Sequence, residues 1–455
     1  MGDLGQIFKA YDVRGTVPDT LTPDVARRIG AAFAHHTAAE RIVVAHDMRP
    51  SSPELATAFS AGVNSQGVDV LAAGLGSTDL LYFASGYFEI PGAMFTASHN
   101  PAQYNGIKMC HARAAPIGSD SGLAEIRSHA ETGLAPAERV GAVTERDLLA
   151  DYAQRLRSLV DLSGIRPLRV VVDAANGMAG HTVPAVLGSR VLDSLPLEIV
   201  PLYFELDGTF PNHPADPMAP ENLVDLQRAV RANNADVGLA FDGDADRCFV
   251  VDEQGNPVTP STVTALVAVR ELDREPGATV IHNLITSRAV PELIREHGGY
   301  PVRTRVGHSF VKAQMAQTNA VFGGEHSAHY YFRDFWRADT GMLAALHVLA
   351  ALGNQQRPLS QLTAEFARYA ASGEINSTVA DPAQRTREVE AEFAGRPGAE
   401  VDHLDGLTVS FTDGRWFNLR ASNTEPLLRL NVEAPTVPAM EQLRDEVLAV
   451  VRSEG

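Results

Sequence analysis

Short apolar runs alternate with stretches in which apolar residues recur every three or four positions, and this pattern repeats along most of the chain. Runs at 42–45 and 68–72, and one ending at Phe95, predict buried strands. Between the first two, Leu55, Phe59 and Val63 recur at helical spacing, with Ser52 as N-cap and Pro53 at the first helical position. A second helix is expected over 79–88. The same order returns twice. Strands at 170–172, 197–204 and 237–241 form one copy, and strands at 279–281, 301–306 and 320–322 the other. Helices follow the turn at 176–180 and begin near Glu221 in the one, and cover 289–297 and begin at Ser309 in the other. The repeat is one of element order, not of residue identity. In every copy the third strand runs into a polar loop. Ligands of α/β sheets bind outside the carboxyl ends of strands, so three loops are expected to face one cleft.

The last part of the chain reads differently. Residues 407–411 alternate like a half-buried antiparallel strand, Asp413-Gly414 is a hairpin turn signal, and 415–419 returns. A further strand at 427–432 and an amphipathic helix from about Pro438 complete a smaller α+β domain. The expected divisions are 1–145, 146–253, 254–368 and 369–455, with a linker near 369–373.

Bulk properties narrow the chemistry. At 455 residues the chain is too long for one core. A net charge of −18 argues against general nucleic-acid binding. Cys110 and Cys248 stand far apart, which suggests neither a disulfide framework nor a structural zinc site. The N-terminus lacks a signal-peptide pattern, and the longest apolar run, near 343–352, is too short to span a bilayer. A cytoplasmic protein without membrane or nucleic-acid partners is expected.

The loops carry the candidate chemistry. Thr96-Ala97-Ser98-His99-Asn100-Pro101, with Lys108 close behind, sets a hydroxyl beside cationic groups, a suitable seat for a phosphoryl group. Asp242, Asp244 and Asp246, spaced i, i+2, i+4, can converge on a hard divalent cation, Mg²⁺ in preference to zinc. An EF-hand is disfavoured because Arg247 stands where that loop needs glycine. An aspartyl-phosphate site at Asp242 and a solvated acidic turn are the other readings. Arg247 suits a phosphate or a neighbouring carboxylate. Glu325, Ser327 and His329 alternate, so an extended backbone would turn all three toward a sugar's hydroxyls. His308, after Gly307, is a candidate proton-transfer group, and Tyr11 and Arg14 are candidates on an N-terminal strand over 8–15. Arg420, Ser422, Asn423, Thr424 and Arg429 gather donors suited to a phosphate dianion. The glycine loop 74–78 is a weaker phosphate candidate.

Together these loops resemble the α-D-phosphohexomutase superfamily, in its order and over essentially the whole chain. The motif 96–101 resembles its phosphoserine loop, 242–247 its metal loop, 324–329 its sugar-recognition loop and 420–426 its phosphate-binding loop. The resemblance implies three similar α/β domains with mixed sheets and a smaller C-terminal α+β domain around a central active-site cleft. It implies phospho-Ser98 as phosphoryl carrier, one Mg²⁺ held by Ser98, Asp242, Asp244 and Asp246, and His99, Lys108, Arg247 and His308 as further catalytic groups. Tyr11, Arg14, Gly307 and the residues of the sugar and phosphate loops would bind substrate. A hexose 1,6-bisphosphate would be intermediate and activator, and the protein a monomer or homodimer. Ser-Asn-Thr in the last loop resembles the phosphomannomutase and phosphoglucomutase branch. Phosphoglucosamine mutase is the alternative enzyme, and a phosphosugar-binding sensor the alternative outside catalysis. His326, Ala328 and Ile285 depart from the commoner residues of the branch and bear on substrate breadth.

Overall fold

The computed structural model describes residues 4–118, 121–421 and 427–453. Three of its four sheets share one plan. In the second sheet the parallel strands run Leu197–Leu202, Leu168–Asp173, Val237–Phe241, and Cys248–Asp252 is then added antiparallel, with Pro257–Val258 at the edge. In the third, Tyr300–Thr304, Thr279–Asn283 and Phe322–Gly324 are parallel, and Tyr330–Phe332 turns back. In the first, Asp69–Leu75, Arg41–His46 and Gly92–Phe95 are parallel, and Tyr104–His111 turns back before Val13–Thr16. The polar loop of each copy is therefore the link between the last parallel strand and its antiparallel neighbour. The repeat of element order corresponds to a repeat of topology.

The third strands are buried along their length, which is why they read as unbroken apolar runs. One hydrophobic core runs through all three sheets, joining Val43 and Met94 of the first to Val171 and Leu239 of the second and Val280 and Phe322 of the third. The fourth sheet is wholly antiparallel, in the order Ala370–Thr378, Leu427–Ala434, Trp416–Ala421, Leu407–Phe411, Ala399–Asp402. It has its own core, with Phe393, Phe417, Leu443 and Val447. A small apolar cluster of Leu284, Ile285 and Trp416 links it to the third domain.

Several local expectations change. The stretch 369–373 is not a free linker, because Ala370 and Ala371 already pair with Ala434 and Glu433 in the fourth sheet. Ser52 is the first residue of the helix Ser52–Ser65, and its hydroxyl bonds Asp47 Oδ1 at 2.6 Å instead of capping the helix. The N-terminal strand is only Val13–Thr16, with a single bridge from Phe8 to Val13. Among the described residues no helix is long and apolar enough to cross a membrane.

Candidate active site

The serine loop is held by an arginine buried beneath it. Arg49 lies just past the carboxyl end of the strand Arg41–His46 and is 1% exposed. Its Nη1 donates to the carbonyls of Pro101 and Tyr104, both at 2.9 Å, and its Nη2 to those of Ser98 and Asn100, at 2.8 and 2.6 Å. Asp47 balances its charge at 3.3 Å. Four carbonyls gathered on one guanidinium bend the loop tightly, and Ser98 takes the left-handed conformation, φ +50°. Such a backbone costs about 1–2 kcal/mol for a residue with a Cβ. The result aims Ser98 Oγ at Asp242 Oδ2, 2.8 Å away, with His99 Nδ1 at 3.3 Å. Arg14 braces the same loop through Asn100 and the Ala97 carbonyl, and pairs with Asp12 at 2.5 Å.

The aspartate loop packs directly on the serine loop. A Cβ on Gly243 would stand 2.3 Å from the Ser98 carbonyl oxygen, so only glycine permits this approach. Asp242, Asp244 and Asp246 are buried, and their ligand atoms lie within 4.8 Å of one another. Asp242 accepts from Arg247 Nε at 2.9 Å and from its backbone N–H at 3.1 Å. Lys108 Nζ bridges Asp244 and Asp246 at 2.7 and 2.6 Å. Asp244 also takes the Thr78 hydroxyl at 2.5 Å. The three carboxyls are not equivalent. Burial pushes Asp242 up, against Arg247 and with the help of its acidic neighbours. Asp244 is held below the usual range, since Lys108 overcomes the effect of its burial. Asp244 Oδ1 and Asp246 Oδ1 are buried with no hydrogen-bond partner among the described residues. Buried carboxylate oxygens left open in this way, in an all-oxygen set, fit a hard divalent cation. They fit zinc poorly.

The third loop is not extended. Residues 325–329 form a turn in which Ala328 adopts φ +64° and donates its N–H to the Glu325 carbonyl. Glu325, Ser327 and His329 consequently do not line up on one face. Glu325 is buried, accepting from Tyr331 Oη at 2.6 Å, Gly307 N at 3.1 Å and Asn283 Nδ2 at 3.2 Å. Ser327 is half-buried. His329 Nδ1 lies 3.0 Å from Asp339 Oδ2, and Lys312 Nζ lies 2.8 Å from the other oxygen of that carboxylate. Burial lowers the His329 pKa, but the bond to Asp339 and the charges of Asp246 and Asp339 raise it overall. His308 behaves oppositely, pushed down to about 3 by burial and by Lys312. Its ring packs edge-on against Tyr11 at 4.6 Å, which brings the first and third loop clusters into contact. Burial and Arg247 hold His99 well below the usual range, and Arg247 Nη2 lies 2.7 Å from its Nδ1.

Ser98, Lys108, Asp246, Arg247, His308, Lys312 and His329 all line one cleft, together with Tyr11 and Arg14. On the fourth sheet Arg420 and Arg429 are directly opposite one another on neighbouring strands. Ser422, Asn423 and Thr424 lie outside the described residues. The glycine loop 74–78 serves the aspartate loop. Ser77 caps the helix Thr78–Phe88, and Thr78 bonds Asp244 through both hydroxyl and backbone. Sequence reasoning passed over Arg49, Lys312 and Asp339. Two signals were available: Arg49 follows a strand's carboxyl end, and Lys312 sits one helical turn beyond His308.

A serine aimed into a carboxylate trio, at the junction of three like-wound sheets and a fourth antiparallel one, defines a phosphohexomutase. The sequence matches the phosphoglucomutase/phosphomannomutase alpha/beta/alpha domains I, II and III over residues 5–136, 150–255 and 259–369. It matches the C-terminal domain of that family over 374–450. A phosphomannomutase of Salmonella montevideo is 40% identical over 453 residues, covering 98% of this chain and 99% of that protein. A phosphohexose mutase of Xanthomonas campestris pv. campestris is 41% identical over 446 residues, covering 97% and 98%. Among solved structures, a phosphoglucomutase/phosphomannomutase family protein from Burkholderia thailandensis superposes with a TM-score of 0.87 at 33% identity, covering 99% of this chain and 98% of that one. The chain belongs to the phosphoglucomutase/phosphomannomutase family, within the α-D-phosphohexomutase superfamily, and is an intramolecular phosphotransferase.

Proposed function

We propose that this enzyme is a phosphomannomutase that interconverts mannose 6-phosphate and mannose 1-phosphate, and glucose 6-phosphate and glucose 1-phosphate as a second pair, in the cytoplasm. The observation that carries the reading is Ser98 Oγ standing 2.8 Å from Asp242 Oδ2, among three buried aspartates. Ser98 carries the phosphoryl group. Asp242, Asp244 and Asp246 would hold one Mg²⁺, which when bound offsets negative charge on the transferring phosphoryl group. Arg247 and Lys108 keep positive charge at the same place.

His329 serves as the proton acceptor. Its Nδ1 is engaged by Asp339, which leaves Nε2 as the basic nitrogen available to a sugar hydroxyl in the cleft. The hydroxyl at C1 or C6 loses its proton to Nε2 as its oxygen bonds to phosphorus and the P–Oγ bond to Ser98 breaks. A hexose 1,6-bisphosphate results. It turns over in the cleft and returns its other phosphoryl group to Ser98 Oγ, and His329 gives the proton back to the oxygen released. His308, held neutral by burial and Lys312, lines the same cleft beside Tyr11. Arg420 and Arg429 hold the phosphate that is not reacting.

The test is turnover on mannose 1-phosphate, glucose 1-phosphate and glucosamine 1-phosphate, with Mg²⁺ and a trace of glucose 1,6-bisphosphate. Mannose 1-phosphate is expected to isomerise at least as fast as the others. A preference for glucosamine 1-phosphate would move the enzyme to another branch of the superfamily. Ser98→Ala is expected to lose sustained turnover by at least about a thousandfold while retaining sugar-phosphate binding. Undiminished turnover in that variant would remove Ser98 from the mechanism.

A further inference from the structure

Arg420 and Arg429 are cross-strand partners, and like charges directly opposite on a sheet repel. Both are turned toward one carboxylate. Glu374, on the neighbouring strand Ala370–Thr378, stands 3.4 Å from Arg429 Nη1 and 3.9 Å from Arg420 Nη2, and Asp405 stands 3.7 Å from Arg420 Nη1. Glu374 reaches this place through an irregularity in the strand. The register shifts between Ala371 and Glu374, and Gly373 takes φ +68°. The contacts are loose. Arg420 Nε, Arg429 Nε and Glu374 Oε2 are all buried without a hydrogen-bond partner among the described residues. Among the described residues, two guanidiniums and a carboxylate thus sit together with their Nε and Oε2 atoms unpaired, the pattern of a site suited to an anion better shaped than a carboxylate.

We infer that Glu374 is a resident competitor for the two arginines, and that it weakens their hold on the substrate's phosphate. The inference rests on the reading of Arg420 and Arg429 as phosphate ligands. A mutase of this kind must release the anchored phosphate halfway through each cycle, so that the bisphosphate can reverse. Arginines with no counter-charge would hold a dianion too long. Glu374 neutralises one positive charge while the phosphate is away and repels the phosphate when it returns. Tight anchoring is exchanged for turnover.

Mannose 1-phosphate binding is measured by calorimetry in the Ser98→Ala background, where no reaction follows, and KM and kcat in the wild-type background. Glu374→Gln is expected to lower Kd by about three- to tenfold, to lower KM in parallel, and to lower kcat because product leaves more slowly. Glu374→Asp, which keeps the charge one methylene further back, is expected to give intermediate values and guards against a folding defect in the first variant. Arg429→Ala and Arg420→Ala are expected to raise Kd at least about tenfold. An unchanged or raised Kd in Glu374→Gln, while the arginine variants bind weakly, overturns the inference and leaves the phosphate site standing. Unchanged binding in both arginine variants removes the phosphate site, and the inference falls with it.

Discussion

His329 owes its character to Asp339. The 3.0 Å contact engages Nδ1 and leaves Nε2 as the basic nitrogen, and it raises the histidine's pKa despite burial. In its proposed role as proton acceptor, His329 with a raised pKa would work on the alkaline side of that value, so kcat is expected to rise with pH through and above the ordinary histidine range near 6.5. Asp339→Asn is expected to move the acidic limb of the kcat–pH profile to lower pH and to reduce the plateau by about 10²-fold, because the ring is no longer held in one tautomer. An acidic limb that stays in place would assign it to another group. The sequence displayed Ser98 and the aspartate trio because their spacing is itself the chemistry. It did not display Asp339. A lone aspartate at the end of the two-residue strand Ala338–Asp339 has no local signature, and only that strand's pairing with Tyr330–Phe332 brings it to His329. Arg49 was hidden for the same reason, since its four carbonyl partners lie about fifty residues away in sequence.

At the scale of elements, each loop is the link between the last parallel strand and the antiparallel strand beside it. A link of this kind must double back within a few residues, which brings unusual backbone angles exactly where reactive side chains are needed. Ser98 and Ala328 both adopt positive φ there, and neither is glycine. The strands were legible, because buried strands need continuous apolar residues. The turn at 325–329 was not, because a glycine would have announced a left-handed residue and Ala328 conceals it. Contact between loops is as exacting as their shape. Gly243→Ala would set a methyl group 2.3 Å from the Ser98 carbonyl oxygen and force the two loops apart. With reacting groups displaced by about an ångström, kcat/KM is expected to fall by about 10²-fold or more while the overall fold persists. Steady-state kinetics beside far-ultraviolet circular dichroism would check this, and near-normal kcat/KM would mean that the loops need not touch.

At the scale of the whole molecule, Asp79 ties three domains together. It accepts from Ser77 in its own domain, from Tyr152 at 2.7 Å on the helix Leu149–Leu159, and from Thr340 at 2.6 Å, the residue that caps Gly341–Gly353. Burial raises its pKa from 3.8 to about 6, against these three hydrogen bonds. The folded protein therefore keeps a proton on Asp79 to higher pH than the unfolded chain does, and the residue's contribution to stability falls as pH rises from about 4 to about 6, by about 3 kcal/mol in all. Asp79→Asn carries no such titration. The melting temperature of the wild type relative to this variant is expected to be higher at pH 4.5 than at pH 7.5. A pH-independent difference would mean that Asp79 does not titrate in that window.

The three tied domains share one core, and the fourth domain keeps its own. This division bears on the order in which a ribosome makes the protein. The chain segments that build the common core all emerge before the strand Leu427–Ala434, which carries Arg429 and completes the fourth sheet. Domains fold in turn as they leave the ribosome. A nascent chain can thus assemble the serine and aspartate loops while it still lacks the arginine pair that would retain a sugar phosphate. On the roles proposed above, the phosphoryl-transfer centre is built early in synthesis and the fourth domain's phosphate site last.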